Sequence, residues 1–359
     1  MFPRDAGNVS ALYQPRKPSR NNGLGGHGSQ VFVAKSCRNR LKSYQPKEVT
    51  MQARKNRITV GNTIAGNPID IVTYTLSAPA KGKKVYIQSG MHGGEVTQWV
   101  QHRLYNFLKE NLKAGEVTFV PVANPAGWEQ RAYFYTFGKF DLYDGRDPNT
   151  HFPGKAEGSL HQRIAHALAS LAKECDLGLD LHTARDSLPY VIFTQEKYLP
   201  LVKTVGLEYN YFDGGDPSGS FDAALDPLNI DNLCIECGSH DEFNAEKTEQ
   251  VYQGILRLLA SLGMVDKGAA KPSVDSWYFA DHKKILTKDA GFVRYDAQLG
   301  KPFKKGDTLF TLHPSSELGA EIPELATEDG VMYKRSPTHI YRTGDETLHY
   351  VPKDWLKRV

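Results

Sequence analysis

Met91-His92-Gly93-Gly94-Glu95 follows directly on Lys84-Val85-Tyr86-Ile87-Gln88-Ser89-Gly90, and the junction of these two stretches decides how the rest of the chain is read. The earlier stretch has the apolar, glycine-bounded character of a strand. Glycines at 90, 93 and 94 let the backbone turn tightly at its end. Residues three apart share a face of a first helical turn, so one ion can reach both His92 and Glu95. A second histidine stands in Asp180-Leu181-His182-Thr183, behind the apolar run Asp176-Leu177-Gly178-Leu179. Two histidines and one carboxylate, with a fourth position left to water, form the ligand set of a catalytic zinc site, whereas a structural site recruits several cysteines. His92, Glu95 and His182 are therefore the candidate metal ligands, with one Zn2+ expected per chain.

Working outward, strands alternate with helices. Residues 57–60 and 69–74 read as an opening hairpin, and apolar spacing of helical period runs through 96–112, 162–173 and 248–262. That alternation predicts an α/β fold with a mixed, largely parallel sheet flanked by helices, in which sites lie at the carboxyl ends of strands. The character changes after residue 262. Residues 267–275 read as a linker, and from 276 to the end short strands are separated by turns such as Ala290-Gly291, Lys305-Gly306-Asp307 and Asp329-Gly330. The expected organisation is a basic tail (1–50), a catalytic domain (51–266), the linker (267–275) and a small all-β domain (276–359).

Further chemistry-bearing segments follow in order. Asn124-Pro125-Ala126-Gly127 comes after the strand-like 117–122, with Arg131 just beyond it. Asp147-Pro148-Asn149-Thr150-His151-Phe152-Pro153-Gly154 precedes the second histidine, and Leu233-Cys234-Ile235-Glu236-Cys237-Gly238 comes last. Glu236 is an acid in an otherwise apolar strand. Burial there would raise its pKa towards the range a general base needs, and a glycine two residues on leaves room for substrate.

The ordered set H-G-G-E, N-P-x-G, D-x-N-x-x-F-P-G, D-L-H-T and I-E-C-G resembles the succinylglutamate desuccinylase/aspartoacylase branch of the zinc carboxypeptidase-like hydrolases, from about residue 55 to the C-terminus. The resemblance implies that His92, Glu95 and His182 hold zinc, that Glu236 is the catalytic acid/base, and that the substrate is a small N-acyl amino acid or related amide. It also places Arg131 near an arginine that stabilises the oxyanion, with Arg146 as rival. The C-terminal strands are similar to the family's β domain, a barrel sandwich of biotinyl/lipoyl type, although Met332-Tyr333-Lys334 lacks the setting of a biotinylated lysine. A lid or subunit contact is the expected role. One departure stands out, because Thr150 occupies the place of an arginine that grips a substrate carboxylate. Threonine offers one neutral hydrogen bond where arginine offers a charged fork. Arg131, Arg146 and Arg185 are the candidates to take over, or the substrate lacks a carboxylate at that point; Asn149 and Thr150 remain candidate substrate contacts.

Composition agrees without deciding. A chain of 359 residues that is 40% hydrophobic can bury a sizeable core. No apolar run is long enough to span a membrane and no secretory h-region is evident. Four scattered cysteines do not make a disulfide framework, which favours a reducing, cytoplasmic setting. The net charge of +3 belongs to the tail: residues 1–48 carry nine basic and two acidic groups, leaving 35 basic against 39 acidic in the body. The tail's Pro, Gly, Ser and Asn content predicts disorder, with a targeting peptide or a true start at Met51 as alternatives. The expected partner of the chain is a small-molecule N-acyl substrate, with a homo-oligomer left as an option and with no membrane and no nucleic acid. The aromatic cluster Tyr133, Phe134, Tyr135, Phe137, Phe140 and Tyr143 is either core or cleft lining. His151 and His240 flank motif residues and are candidates to contact substrate. A metallocarboxypeptidase acting on short peptides, or a binding protein on the same scaffold without turnover, are the competing functions.

Overall fold

The computed structural model describes residues 51–130, 139–140, 145–215, 219–240, 242–266 and 270–359. The basic tail, Arg131, the aromatics at 133, 134, 135, 137 and 143, and residues 267–269 of the proposed linker lie outside the described residues. The chain opens with β1 (Gln52–Asn62) and β2 (Pro68–Ser77), paired antiparallel as the alternating sequence predicts. β3 (Ala80–Ser89), α1 (Gln98–Asn111), β4 (Ala114–Val120) and the single turn α2 (Pro125–Trp128) follow. Next come α3 (Leu160–Ala172), β5 (Leu177–His182), β6 (Asp186–Ser187), β7 (Tyr190–Phe193), α4 (Leu199–Val205), β8 (Tyr209–Phe212), α5 (Phe221–Leu225), β9 (Asp231–Glu236) and α6 (Ala245–Ser261). From there the chain is strands: β10 (Trp277–Phe279), β11 (Lys283–Leu286), β12 (Gly291–Tyr295), β13 (Pro302–Phe303), β14 (Thr308–Pro314), β15 (Ile322–Leu325), β16 (Gly330–Arg335), β17 (Ile340–Tyr341), β18 (Glu346–Pro352) and β19 (Lys357–Arg358).

Ten strands form one sheet in the order β1-β2-β4-β3-β5-β9-β7-β8-β10-β19. Its centre is parallel, through the pairs β3 with β4, β3 with β5 and β5 with β9, while β7 runs antiparallel to β9. Every residue of β5 is buried, because it has strands on both sides and helices on both faces. One face packs against α1, α4 and α6 through Val100, Leu104, Val202, Val251, Ile255 and Leu259. The other packs against α3 and α5 through Ile164, Leu168, Phe221 and Leu225. The apolar stripe of α6 explains its helical period in sequence: Val251, Ile255, Leu258 and Leu259 are all fully buried, each stabilising the packing by about 1.5–3 kcal/mol relative to exposure. Its start is set by Asn244, whose side chain accepts from the Lys247 amide. A capping box between Ser159 and Gln162 opens α3 in the same way.

The C-terminal strands make two small antiparallel sheets, β11-β18-β16-β13 and β15-β14-β12-β17, around a core that includes Val293, Phe310, Leu312, Met332 and Leu348. Two features join them to the large sheet. β10 and β19 belong to the large sheet itself, β10 pairing parallel to β8 and β19 antiparallel to β10. β6, which lies just beyond His182, pairs with β16. None of these contacts is marked in sequence, since each of β6, β10 and β19 has three residues or fewer.

Asn210 pins the first of these junctions. Its Oδ1 accepts from the Val191 amide at 3.1 Å, while its Nδ2 hydrogens are shared among Leu207 O, Ser276 Oγ and Trp277 O at 3.0–3.1 Å. It is fully buried, so truncation orphans groups that water cannot reach. Asn210→Ala is expected to lower stability by about 2–4 kcal/mol. Urea denaturation checks this, and a loss under about 0.5 kcal/mol would contradict the pinning role.

Candidate active site

The site forms where three neighbouring parallel strands end. β3 delivers the chain to His92 and Glu95, β5 ends on His182, and β9 ends on Glu236, with His182 and Glu236 directly opposite in register. Gly90 makes the exit from β3 at φ 66°, and a Cβ there would lie 2.8 Å from Gln98 Nε2 and from Trp128 Nε1. The segment after it differs from expectation in one respect. His92 and Glu95 are joined by a turn, with the Glu95 amide donating to His92 O at 3.5 Å, and α1 begins only at Gln98. The turn serves the same end as a helical face, because Glu95 Oε2 accepts from the His92 amide at 3.1 Å and folds the carboxylate back over its neighbour.

Glu95 Oε1 receives both imidazoles, His92 Nδ1 at 2.8 Å and His182 Nδ1 at 2.8 Å. The three side chains are buried, and their ligand atoms all lie within 4.8 Å of one another. The outer ring nitrogens are held by carboxylates: His92 Nε2 by Asp147 Oδ1 at 2.8 Å and His182 Nε2 by Asp180 Oδ2 at 2.9 Å. This pattern fixes each ring and leaves its Nδ1 to face inward, which is the arrangement of metal-binding histidines whose far nitrogen is tied to a carboxylate. The donor set and its geometry thus fit a divalent ion of the zinc type. Burial pushes the Glu95 carboxyl up, but His182 and His92 hold it well below the usual carboxylate range. Burial likewise opposes charge on His182, yet Asp180 and Glu95 hold its imidazole well above the ordinary value. Against burial, His92 and Lys139 hold Asp147 low as well.

Glu236 is placed differently. It is half-buried and its Oε2 is fully buried without a hydrogen-bond partner among the described residues. Burial raises its carboxyl pKa, countered by His182, reinforced by Glu95, and countered again by Lys334 and Lys139. Gly238 is used for the backbone turn that follows: it adopts φ 114°, its carbonyl accepts from the Ala184 amide, and a Cβ would meet the Lys247 side chain at 2.7 Å. Cys234 and Cys237 are free thiols pushed well above their ordinary pKa by burial, a setting without redox activation.

The remaining sequence candidates are distributed unevenly. Asn149 reaches the site, its Nδ2 standing 3.4 Å from His182 Nε2. Thr150 is exposed and spends its hydroxyl on Asp147 O at 2.7 Å. Arg146 is exposed, and Arg185 is paired with Glu346 at 3.1 Å. His240 has its Nδ1 2.8 Å from Thr183 Oγ1, and burial lowers its pKa to about 3, so it is neutral. His151 stacks on His161 at 5.9 Å. Phe140, of the aromatic cluster, is exposed. Two residues escaped the sequence reading: the orienting carboxylates Asp147 and Asp180. Asp180 carried a usable signal, being an acid in an apolar strand two residues before a histidine and hence on the same face.

Comparison with known proteins agrees with this geometry. The sequence model of a family described as the succinylglutamate desuccinylase/aspartoacylase catalytic domain matches residues 81–262. The N-alpha-acetyl-L-2,4-diaminobutyric acid deacetylase of Halomonas elongata is 23% identical over 283 residues, covering 74% of this chain and 81% of that protein. Among solved structures, a succinylglutamate desuccinylase/aspartoacylase family protein from Shewanella amazonensis superposes with a TM-score of 0.77 at 22% identity, over 85% of this chain and 100% of the other. The product-bound ectoine utilization protein EutE (DoeB) from Ruegeria pomeroyi gives 0.71 at 17% identity, over 85% and 96%. These two likenesses establish the fold.

Removing the support of His182 by Asp180→Ala is expected to weaken Zn2+ affinity by about 10–100-fold, read by competition with a fluorescent chelator. Undiminished affinity would strip Asp180 of that role. A proton on His182 must leave before a metal can bind. Since the folded pKa lies above 6.5, apparent affinity should climb by about tenfold per pH unit from there until the folded pKa is passed. A flat profile over that window would place the displaced proton elsewhere.

Proposed function

The chain belongs to the succinylglutamate desuccinylase/aspartoacylase family, and on that premise we propose that it is a zinc-dependent deacylase that cleaves the amide bond of a small N-acylated amino acid or related compound. The observation that carries the reading is the register of β5 and β9, which sets Glu236 beside His182 at one edge of a buried His-Glu-His cluster. The deacetylase relative supports an N-acyl amino acid as substrate class.

In this reading His92, Glu95 and His182 hold the ion, and Asp147 and Asp180 keep the two imidazoles turned towards it. When bound, such an ion polarises the substrate carbonyl and lowers the pKa of an attacking water to about 7. The chain's own groups do the rest. Glu236 Oε2, unpartnered and raised in pKa by burial, takes the proton of the attacking water and passes it to the departing amine. Asn149, beside the His182 ring at its outer nitrogen, is kept as a neutral contact for the substrate. An arginine, Arg131 or its rival Arg146, is the group assigned to the developing oxyanion, a role in which a positioned charge is worth a few kcal/mol in the transition state. Among the described residues no helix is long and apolar enough to cross a membrane.

Glu236→Gln keeps shape and removes the proton acceptor. It is expected to bind Zn2+ like the wild type and to lose about 10²–10⁴-fold in kcat on N-acyl amino acids. Wild-type turnover by a metal-loaded variant would remove the acid/base role. A panel of N-acyl amino acids, their carboxamides and short peptides, assayed with and without a chelator, decides among deacylase, peptidase and silent binding protein. Chelator-resistant turnover would sink the metal-dependent reading.

A further inference from the structure

The C-terminal module reaches the site through one strand. β16 pairs with β6 in the register Lys334 opposite Ser187 and Arg335 opposite Asp186, just beyond His182. The charges gathered there are unevenly matched. Glu346 accepts Arg185 at 3.1 Å, Lys284 at 3.2 Å and His349 Nε2 at 3.0 Å. Arg335 is taken by Asp186 at 2.6 Å. Lys334 is half-buried and its side chain makes no ion pair or hydrogen bond among the described residues; its ammonium lies 5.6 Å from the Tyr333 ring centroid.

The charged groups that face Lys334 are Glu236, Arg185, Lys284 and Glu346. His282 and His349 stack on each other at 5.0 Å and stay neutral, burial and the Lys334 charge lowering them to about 4 and about 3. Glu346 is engaged by Arg185, Lys284 and His349, and Glu236, the other carboxylate facing Lys334, sits where burial favours protonation. A half-buried ammonium without a fixed partner is disfavoured by desolvation, and burial draws Lys334 down to about 8. An arriving anion would give this ammonium the partner it lacks, and a carboxylate suits it best because it forms a charge-assisted hydrogen bond with the ammonium.

We infer that Lys334, supplied by the C-terminal module and facing Glu236, is the carboxylate-binding group of the substrate pocket. The nature of the substrate rests on the deacylase reading, whereas the binding of a carboxylate at Lys334 does not. The substrate then lies across the cleft with its amide at the ion site and its anionic end under β16, which answers the loss of the arginine at position 150.

Ligand-observed NMR titration of the metal-free full chain isolates the carboxylate. The probes are the N-acetyl derivatives of alanine, glutamine and lysine, each as the free acid and as its carboxamide. At least one acid is expected to bind about tenfold more tightly than its carboxamide. Lys334→Met should erase that preference and Lys334→Arg keep it, with melting temperatures unchanged. Equal affinity for all acid and amide pairs in the wild type overturns the inference. So does a preference that survives in a folded Lys334→Met. If Lys334 merely tuned Glu236, its loss would instead shift the pH profile of turnover for acids and carboxamides alike, with their KM ratio intact, and that outcome too overturns it. A wild type that prefers the acids yet hydrolyses none of them would sink the deacylase reading alone.

Discussion

A carboxylate buried to zero exposure is the constraint from which the site follows. Glu95 has no access to water, and an isolated ionised carboxylate in such a place would be driven to protonate. It stays charged because two imidazoles converge on one of its oxygens while the backbone of His92 occupies the other. The imidazoles converge because β3 and β5 are adjacent and parallel, so their carboxyl ends arrive together. The outward nitrogens of those rings then need acceptors of their own, which Asp147 and Asp180 supply. Sheet topology, strand register and a chain of buried charges thus support one another, in a cluster whose donor atoms could hold a metal ion.

Much of this was readable from local sequence. The hairpin, the three long helices and the parallel centre of the sheet follow from periodicity, since β5 and the faces of α3 and α6 bury what their apolar spacing says they bury. His92, Glu95 and His182 could be selected because glycine-rich strand exits are where an α/β fold collects ligands, and the structure brings these three together. Glu236 stood out as an acid in an apolar strand, and its register opposite His182 matches that reading.

What stayed hidden depends on contacts between residues far apart in sequence. Asp147 reaches His92 across 55 positions, and no spacing rule links them. The pairing of β6 with β16 joins residues 186–187 to 334–335 through two residues on each side, too short to leave a periodic trace. Charge is visible in sequence and partnership is not: Arg185 looks like a free cation until Glu346 is found beside it. Lys334 was passed over for the converse reason, since its failure to match a biotinyl setting said nothing about its lack of a partner. The short α4 and α5 and the strands β7 and β8 fell below the length at which periodicity distinguishes helix from strand.

The C-terminal module leaves the large sheet at β10 and returns to it at β19, and these two strands pair with each other. An appendage held by one end can swivel about its stalk. One whose exit and re-entry are stitched side by side has lost that freedom, and the further seam between β6 and β16 fixes its remaining tilt. The module is therefore oriented by completion of the sheet's outer edge, so whatever it presents to the cleft arrives already aimed, with little orientational entropy left for a ligand to overcome.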